Sequence, residues 1–240
     1  MIAPAFYRSL LTPAEQLAYR QLVTSLLAQK DNIFISQNTV PTAQLYRIVQ
    51  AVHLDHPELF EIQWWEYQFA AVPDGSYLRF QRMLEPEPST AIRNSLNAKA
   101  ACLRQKFTDS PSDADAYFQI AKEIASTTKY MDSGSAFWDH TLVGPTLRHT
   151  AVCEGVSKFY LFCCQRAGLP CAIITGTLYG VPHAWNMVEL APYGRVYLDV
   201  TSMLHSSFYG MPLKSSLFRT GQQLRRNGYQ WPSAFICQAT

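Results

Sequence analysis

Three stretches of the sequence decide the fold: Thr150-Ala151-Val152-Cys153-Glu154-Gly155, Gly180-Val181-Pro182-His183-Ala184-Trp185-Asn186 and Tyr197-Leu198-Asp199-Val200-Thr201. The first opens a segment, Cys153 to Ala167, whose apolar residues recur with helical spacing and which stops at Gly168. The other two lie in predicted strands, Ala184 to Leu190 with the turn before it and Arg195 to Val200. Both come after a first predicted strand, Cys171 to Leu178. A helix followed by successive antiparallel strands predicts an α+β architecture.

The same stretches carry, in order, the three residue types that thiol catalysis needs. Cys153 starts the predicted helix, where free backbone N–H groups and the helix dipole favour a thiolate. His183 leads into a strand, from which an imidazole can serve first as a base and then as an acid. Asp199 closes the next strand, and if the strand register permits, its carboxylate orients the imidazole. We therefore predict that Cys153, His183 and Asp199 form a catalytic triad.

The stretch from about Tyr130 to Met203 resembles the core of the transglutaminase-like superfamily, a group of papain-related cysteine enzymes, and within it the bacterial branch. Four segments carry the resemblance: Cys-Glu-Gly at 153–155, Ala-Gly-Leu-Pro-Cys at 167–171, His-Ala-Trp-Asn at 183–186 and Leu-Asp-Val-Thr at 198–201. The resemblance implies a papain-like core in which the catalytic helix packs on an antiparallel sheet. It also implies that Cys153 is the nucleophile, His183 the base and Asp199 the orienting acid, with no cofactor and no metal.

These residues predict an enzyme that acts on a peptide or another amide through a thioester. We expect a cysteine peptidase or amidase. A protein-glutamine transglutaminase or deamidase is the first alternative, because an amine acceptor in place of water would turn hydrolysis into transamidation. A non-catalytic relative that binds peptides is the second.

The chain is expected to have two parts, an N-terminal extension at residues 1–88 and a catalytic core at residues 89–240. The predicted elements that precede the catalytic stretches are helices and one hairpin, followed by a loop: helices Pro13–Gln29, Thr42–Leu54, Ser89–Phe107 and Asp113–Lys129, antiparallel strands Trp64–Ala71 and Tyr77–Met83, and a loop from Met131 to Thr150.

Composition narrows the class of partner. The 240 residues carry a net charge of +2 and their basic residues are scattered, which speaks against nucleic acid. No segment has the features of a signal peptide or of a membrane span, so we expect no membrane partner. The six cysteines include no CxxC pair, which favours a reducing compartment and a cytoplasmic location; Cys163 and Cys164 lie in an apolar run and are expected in the core.

Several side chains near the predicted triad leave alternatives open. A zinc site would use His149, Cys153 and His183 with His205, although their spacing lacks the usual paired ligands. The residues that could assist the Cys153 backbone N–H in binding an oxyanion are Trp138, His140 and His149. We expect Trp185 to face away from His183 or to shield its edge, and we interpret His53, Asp55 and His56 as a solvated helix end.

Overall fold

The computed structural model describes residues 5–107, 110, 112–205 and 217–232. These residues form an α+β fold and divide into two compact units, one at residues 5–91 and one at residues 92–232. The predicted fold class is thereby confirmed. Within the described residues, no helix combines the length and the hydropathy that crossing a membrane requires.

The first unit packs two helices with a three-stranded antiparallel sheet of strand order β1-β3-β2. Its elements are a 3-10 turn Arg8–Leu10, helix α1 Pro13–Leu27, strand β1 Asn32–Ser36, a 3-10 turn Thr42–Gln44, helix α2 Leu45–Asp55, and strands β2 Gln68–Val72 and β3 Gly75–Arg79. Thr12 and Glu15 close the start of α1 reciprocally, since each side chain accepts a hydrogen bond from the other's backbone N–H. The predicted hairpin is present as β2 and β3, but the sequence interpretation missed β1.

The end of α2 was expected to be solvated. This expectation is wrong for Asp55. This carboxylate is only 4% exposed. It accepts hydrogen bonds from the backbone N–H groups of Tyr7 and Arg8 at 3.0 and 2.8 Å and from the Tyr19 hydroxyl at 3.0 Å. His53, two residues earlier in the chain, stacks on Trp64 with ring centroids 5.0 Å apart.

The second unit is built around the helix Cys153–Ala167 and a four-stranded antiparallel sheet of order β8-β7-β6-β9. Helix α3, Pro86–Phe107, begins in the first unit and continues into the second. The elements that follow it are helices α4 Asp113–Thr127 and α5 Ala136–His140, a π-helical turn Gly144–Arg148, the parallel pair β4 Lys129–Tyr130 and β5 Thr150–Ala151, helix α6 Cys153–Ala167, strands β6 Cys171–Leu178, β7 Val181–Leu190 and β8 Gly194–Leu198, helices α7 Val200–His205 and α8 Gly221–Arg226, and strand β9 Tyr229–Gln230.

Helix α6 has the predicted bounds because its ends are marked in the sequence. Gly168 adopts the left-handed conformation at φ +75°, and the N–H groups of Gly168 and Leu169 bond the last carbonyls of the helix. Most of α6 is buried, including Cys163 and Cys164, as expected. Asn186 of β7 donates to the Ser157 carbonyl at 3.1 Å and so ties the helix to the sheet.

The stretch predicted as a loop at Met131–Thr150 contains more structure than expected. Ser135 caps α5 by accepting from the Trp138 N–H at 3.2 Å, and the π-helical turn follows. Asp139, 1% exposed, accepts from the N–H groups of Ser133 and Ser135 at 2.7 and 3.0 Å. This buried carboxylate therefore orders the chain that leads to Cys153, a role that its local sequence did not indicate.

Candidate active site

Cys153 is the first residue of α6 and is partly exposed. The chain enters the helix directly from β5, and no side chain caps the helix start. The N–H groups of the first helical turn have no intrahelical acceptor and point toward the helix start, together with the positive end of the helix dipole. Such an environment favours a thiolate and, later, an oxyanion.

Gly155 allows α6 to begin this close to the preceding chain. A Cβ at this position would lie 2.4 Å from the Asp139 carbonyl oxygen, 2.9 Å from that of Thr141 and 3.0 Å from the Ala151 Cβ. The backbone atoms of α5 therefore occupy the space that any other residue would need. The glycine of the Cys-Glu-Gly segment thus fixes where Cys153 sits.

His183 and Asp199 meet through the register of β7 and β8. These strands are paired from Asn186 with Leu198 to Leu190 with Gly194, so Asp199, one residue beyond β8, lies beside the start of β7. His183 Nε2 bonds Asp199 Oδ2 at 2.8 Å. The imidazole also interacts with Cys153, and this interaction favours the protonated form of His183. The structure therefore brings together all three residues that the sequence predicted.

The charge state of His183 follows from these contacts. Burial alone would lower its pKa, but the hydrogen bonds to Asp199 and Cys153 and the negative charges of both groups outweigh burial and raise the pKa to about 9. An imidazolium beside a thiolate is the form in which a cysteine–histidine pair attacks a carbonyl.

Asp199 is held by donors on three elements. Besides His183, the Tyr229 hydroxyl donates to Oδ2 at 2.7 Å, and the Ser202 N–H in the first turn of α7 donates to Oδ1 at 3.3 Å. Tyr229 was not among the residues predicted from the sequence. It lies 30 residues beyond Asp199 on a two-residue strand, and only its aromatic neighbour Trp231 marks the segment.

Trp185 lies on the same face of β7 as His183, and the expectation that it faces away is wrong. Residues two apart on a strand share a face, and the two rings stack at 6.0 Å with an interplanar angle of 23°. Trp185 is fully buried, and the Tyr229 ring meets it edge-on at 5.2 Å. Trp185 therefore packs beneath the imidazole and restricts its orientation.

The three side chains considered for the oxyanion have other contacts. His140 Nδ1 bonds Glu154 at 2.9 Å, and this bond raises the pKa of His140. The Trp138 ring lies under the Arg148 guanidinium at 3.6 Å, and His149 adopts the left-handed conformation at φ +59°. The role of Trp138, His140 or His149 in binding an oxyanion stays a prediction.

Glu154 and His140 form a charged cluster with Lys158. The Lys158 ammonium bonds Glu154 at 2.6 Å and the His140 carbonyl at 3.1 Å. The cluster braces the first turn of α6 against the end of α5.

The zinc alternative requires a cluster of ligand side chains, and the described part of the chain contains none. No group of three histidine, cysteine or acidic side chains that could hold a metal occurs there. His183 directs Nε2 to Asp199. The side chain of His205, the fourth residue considered, lies outside the described residues.

Residues 101–200, which include Cys153, His183 and Asp199, match the family model of the transglutaminase-like superfamily. This stretch is therefore a transglutaminase-like core, and the resemblance drawn from the four sequence segments is confirmed for it. A match to this superfamily implies cysteine-based catalysis in general. Among curated proteins, none matches the chain significantly.

Solved structures similar to the chain include a transglutaminase (17% identity, TM-score 0.43), a candidate cysteine protease from Cytophaga hutchinsonii (13%, 0.38) and the periplasmic domain of TgpA from Pseudomonas aeruginosa (16%, 0.35). The similarity covers 71%, 57% and 55% of this chain in turn. The chain spans 54%, 61% and 55% of those three chains.

Proposed function

We propose that this protein is a thiol-dependent enzyme that hydrolyses or transfers the acyl group of a peptide or amide, with Cys153 as nucleophile, His183 as base and acid, and Asp199 as the orienting carboxylate. The observation that carries the proposal is that His183 is hydrogen-bonded to Asp199 at 2.8 Å and also interacts with Cys153, an interaction that favours the imidazolium. An imidazole held in this way is already oriented for proton transfer to and from the sulfur.

In the proposed reaction, the Cys153 thiolate attacks the amide carbon and a tetrahedral oxyanion forms. When the C–N bond breaks, the departing amine takes a proton from the His183 imidazolium and leaves a thioester on Cys153. Water or an amine then loses a proton to His183 and attacks the thioester, which releases the acyl product and restores the thiolate–imidazolium pair. The first-turn N–H groups of α6 are the donors that we expect to bind the oxyanion.

A peptide or protein is the substrate that the surroundings of the site favour. Val181 comes two residues before His183 in β7 and therefore lies on the same face of the strand. The residue is 65% exposed. Tyr130 pairs in register with Ala151, two residues before Cys153. Burial raises the pKa of its phenol, and the charges of Cys153, Asp132 and Asp199 raise it further. Exposed apolar groups near His183 and Cys153 suit a peptide with large apolar residues near the scissile bond.

Hydrolysis is the preferred outcome, and transamidation or deamidation of glutamine is the alternative. The acceptor decides between them, and an amine acceptor remains a prediction. The proposed division assigns this chemistry to residues 89–240, with residues 1–88 as an extension. A cytoplasmic location and independence from metals, organic cofactors, nucleic acid and membranes also remain predictions from the sequence.

The proposal is tested by trapping the thioester. The protein is mixed with a library of short peptides and glutamine amides, with and without a fluorescent primary amine, and then quenched in acid for peptide mass spectrometry. We expect an acyl adduct on Cys153, cleaved or deamidated peptides without the amine, and no adduct in Cys153→Ala.

The matched control is Cys102→Ala, which removes an exposed free thiol from α3 and is expected to leave turnover unchanged. Incorporation of the amine would assign the transglutaminase alternative. If no peptide yields an adduct, and Cys153→Ala binds the peptides as the wild type does, the protein is the non-catalytic relative.

A further inference from the structure

Tyr229 makes the shortest of the side-chain hydrogen bonds described at Asp199. Its hydroxyl lies 2.7 Å from Oδ2, the oxygen that also receives the His183 Nε2–H at 2.8 Å. The Tyr229 ring is buried, with its centroid 5.9 Å from that of His183 and 5.2 Å from that of Trp185. One oxygen of the carboxylate therefore serves two donors, which approach it from different strands.

The segment that carries Tyr229 is fixed to the sheet at several points. Strand β9 pairs with the end of β6, where Tyr229 faces Leu178. A Cβ on Gly176 would lie 2.1 Å from the Gln230 carbonyl oxygen and 2.9 Å from the Trp185 ring, so only glycine lets β9 and Trp185 approach this closely. At the other end, Tyr197 and Arg219 exchange two backbone hydrogen bonds of 2.8 Å. Tyr229 is thus held in place by the fold, and it lies outside the residues that match the superfamily model.

The phenol is a donor under all ordinary conditions. Burial and the charge of Asp199 both raise the pKa of Tyr229, so it remains protonated. A hydrogen bond donated to a carboxylate oxygen withdraws part of its negative charge. The hydrogen bond that the same oxygen accepts from a second donor is therefore weaker. At this site the second donor is His183.

We propose that Tyr229 is a positioning residue that acts through Asp199: its hydroxyl holds Oδ2 beside His183 and takes up part of the carboxylate charge, so that the imidazolium is held less tightly and gives up its proton more readily. This inference rests on the proposed function, in which His183 must protonate the leaving amine. Without Tyr229, the Asp199 charge would act on the imidazolium undiminished.

Other charged or titratable groups near His183 belong to neighbouring elements. Cys153 lies on α6 and Tyr130 on β4, while Arg219 lines an open pocket of about 280 Å³ together with Asp199 and Tyr229. These groups are unchanged when only the Tyr229 hydroxyl is removed. A change in the titration of His183 can therefore be assigned to that hydroxyl.

The test is a pH titration of the His183 imidazole by NMR on ¹⁵N-histidine-labelled protein, in the wild type and in Tyr229→Phe. Phenylalanine keeps the ring beside His183 and Trp185 and removes only the donor. We expect the titration midpoint of His183 to rise by roughly half a unit to one unit in Tyr229→Phe. The control, Tyr117→Phe, removes a buried hydroxyl that donates to the Pro170 carbonyl at 2.5 Å, and it is expected to leave that midpoint unchanged.

An unchanged or lowered midpoint in Tyr229→Phe, with the fold intact by circular dichroism, overturns the inference. The measurement needs no substrate, so it separates the two claims. If wild-type Cys153 forms no acyl adduct, the proposed function fails; if the adduct forms but the His183 midpoint does not rise in Tyr229→Phe, only the role of Tyr229 fails.

Discussion

At the scale of single residues, the site depends on how His183 balances burial against charge. Burial disfavours the imidazolium, yet the bonds to Asp199 and Cys153 reverse this effect and bring the pKa to about 9 from an ordinary value of 6.5. Because the folded state binds this proton more tightly than the unfolded state, the interaction stabilises the fold below pH 6.5. That stabilisation is lost as the pH rises through about 9.

The stability of His183→Gln relative to the wild type is expected to follow this pH dependence. The wild type should be more stable by the widest margin near pH 6, and the margin should shrink as the pH rises from 6.5 to about 9. Urea denaturation of both proteins at several pH values between 6 and 10 measures it. A margin that is constant over this range would contradict the charge state assigned to His183.

Replacing Asp199 by asparagine is expected to remove most of the reactivity of Cys153. The shape of the side chain is kept, but the charge that holds the imidazolium is lost, so turnover should fall by about a hundredfold or more. The matched control is Ser202→Ala, which removes a 2.7 Å bond from the Ser202 hydroxyl to the Asp199 carbonyl and leaves the carboxylate intact. If Asp199→Asn retains wild-type turnover, Asp199 does not have the proposed role.

At the scale of secondary structure elements, the start of α6 determines where the thiol sits. The helix begins at Cys153 without a side-chain cap, and Gly155 brings it against the carbonyl groups of Asp139 and Thr141. Asp139 in turn orders Ser133 and Ser135. The position of the sulfur thus depends on close backbone packing as well as on the helix itself.

Gly155→Ala is expected to displace this helix start. The new Cβ would lie 2.4 Å from a carbonyl oxygen, and we expect a loss of about 1–3 kcal/mol in the free energy of unfolding, together with slower reaction of Cys153. The control at the other end of α6 is Gly168→Asn, where nothing lies within 4 Å of an added Cβ and asparagine tolerates the left-handed conformation. If both variants behave alike, close packing at Gly155 does not position Cys153.

The sequence predicted those parts of the fold whose signals are local. The bounds of α6 follow from its periodicity and from Gly168, and the triad candidates follow from motifs beside recognisable elements. Three features depend on pairing between distant residues and were missed. Strand β1 joins the hairpin only through β3, Asp139 acts through backbone groups of a loop, and Tyr229 reaches Asp199 only because β9 pairs with β6.

At the scale of the whole molecule, the chain forms two units, and Cys153, His183 and Asp199 all belong to the unit at residues 92–232. The unit at residues 5–91 has a buried charged centre of its own, Asp55. Burial raises the pKa of this carboxyl to about 6, even though hydrogen bonds from Tyr7, Arg8 and Tyr19 favour its charged form. The folding of this unit therefore depends on a carboxylate that takes no part in the proposed chemistry.

Asp55→Ala is expected to destabilise the first unit and leave the reactivity of Cys153 unchanged. The substitution takes the Asp55 acceptor away from three donors, two of them buried, so a loss of about 3 kcal/mol is expected. Hydrogen exchange followed by mass spectrometry should show reduced protection within residues 5–91 and little change within residues 92–232. Asp74→Ala, at an exposed hairpin turn, is the control, and equal loss of protection in both units of Asp55→Ala would contradict the expectation.

The most direct test of the central claim is the rate at which iodoacetamide alkylates each cysteine at pH 6, in the wild type and in His183→Ala, with the labelled positions located by peptide mass spectrometry. At this pH an ordinary thiol with a pKa of about 8.5 is only about 0.3% thiolate, so the exposed Cys102 serves as an internal reference. We predict that Cys153 reacts at least about tenfold faster than Cys102 and loses this advantage in His183→Ala. Slow and uniform labelling of several cysteines, unaffected by His183, would contradict the assignment of Cys153 as an activated nucleophile.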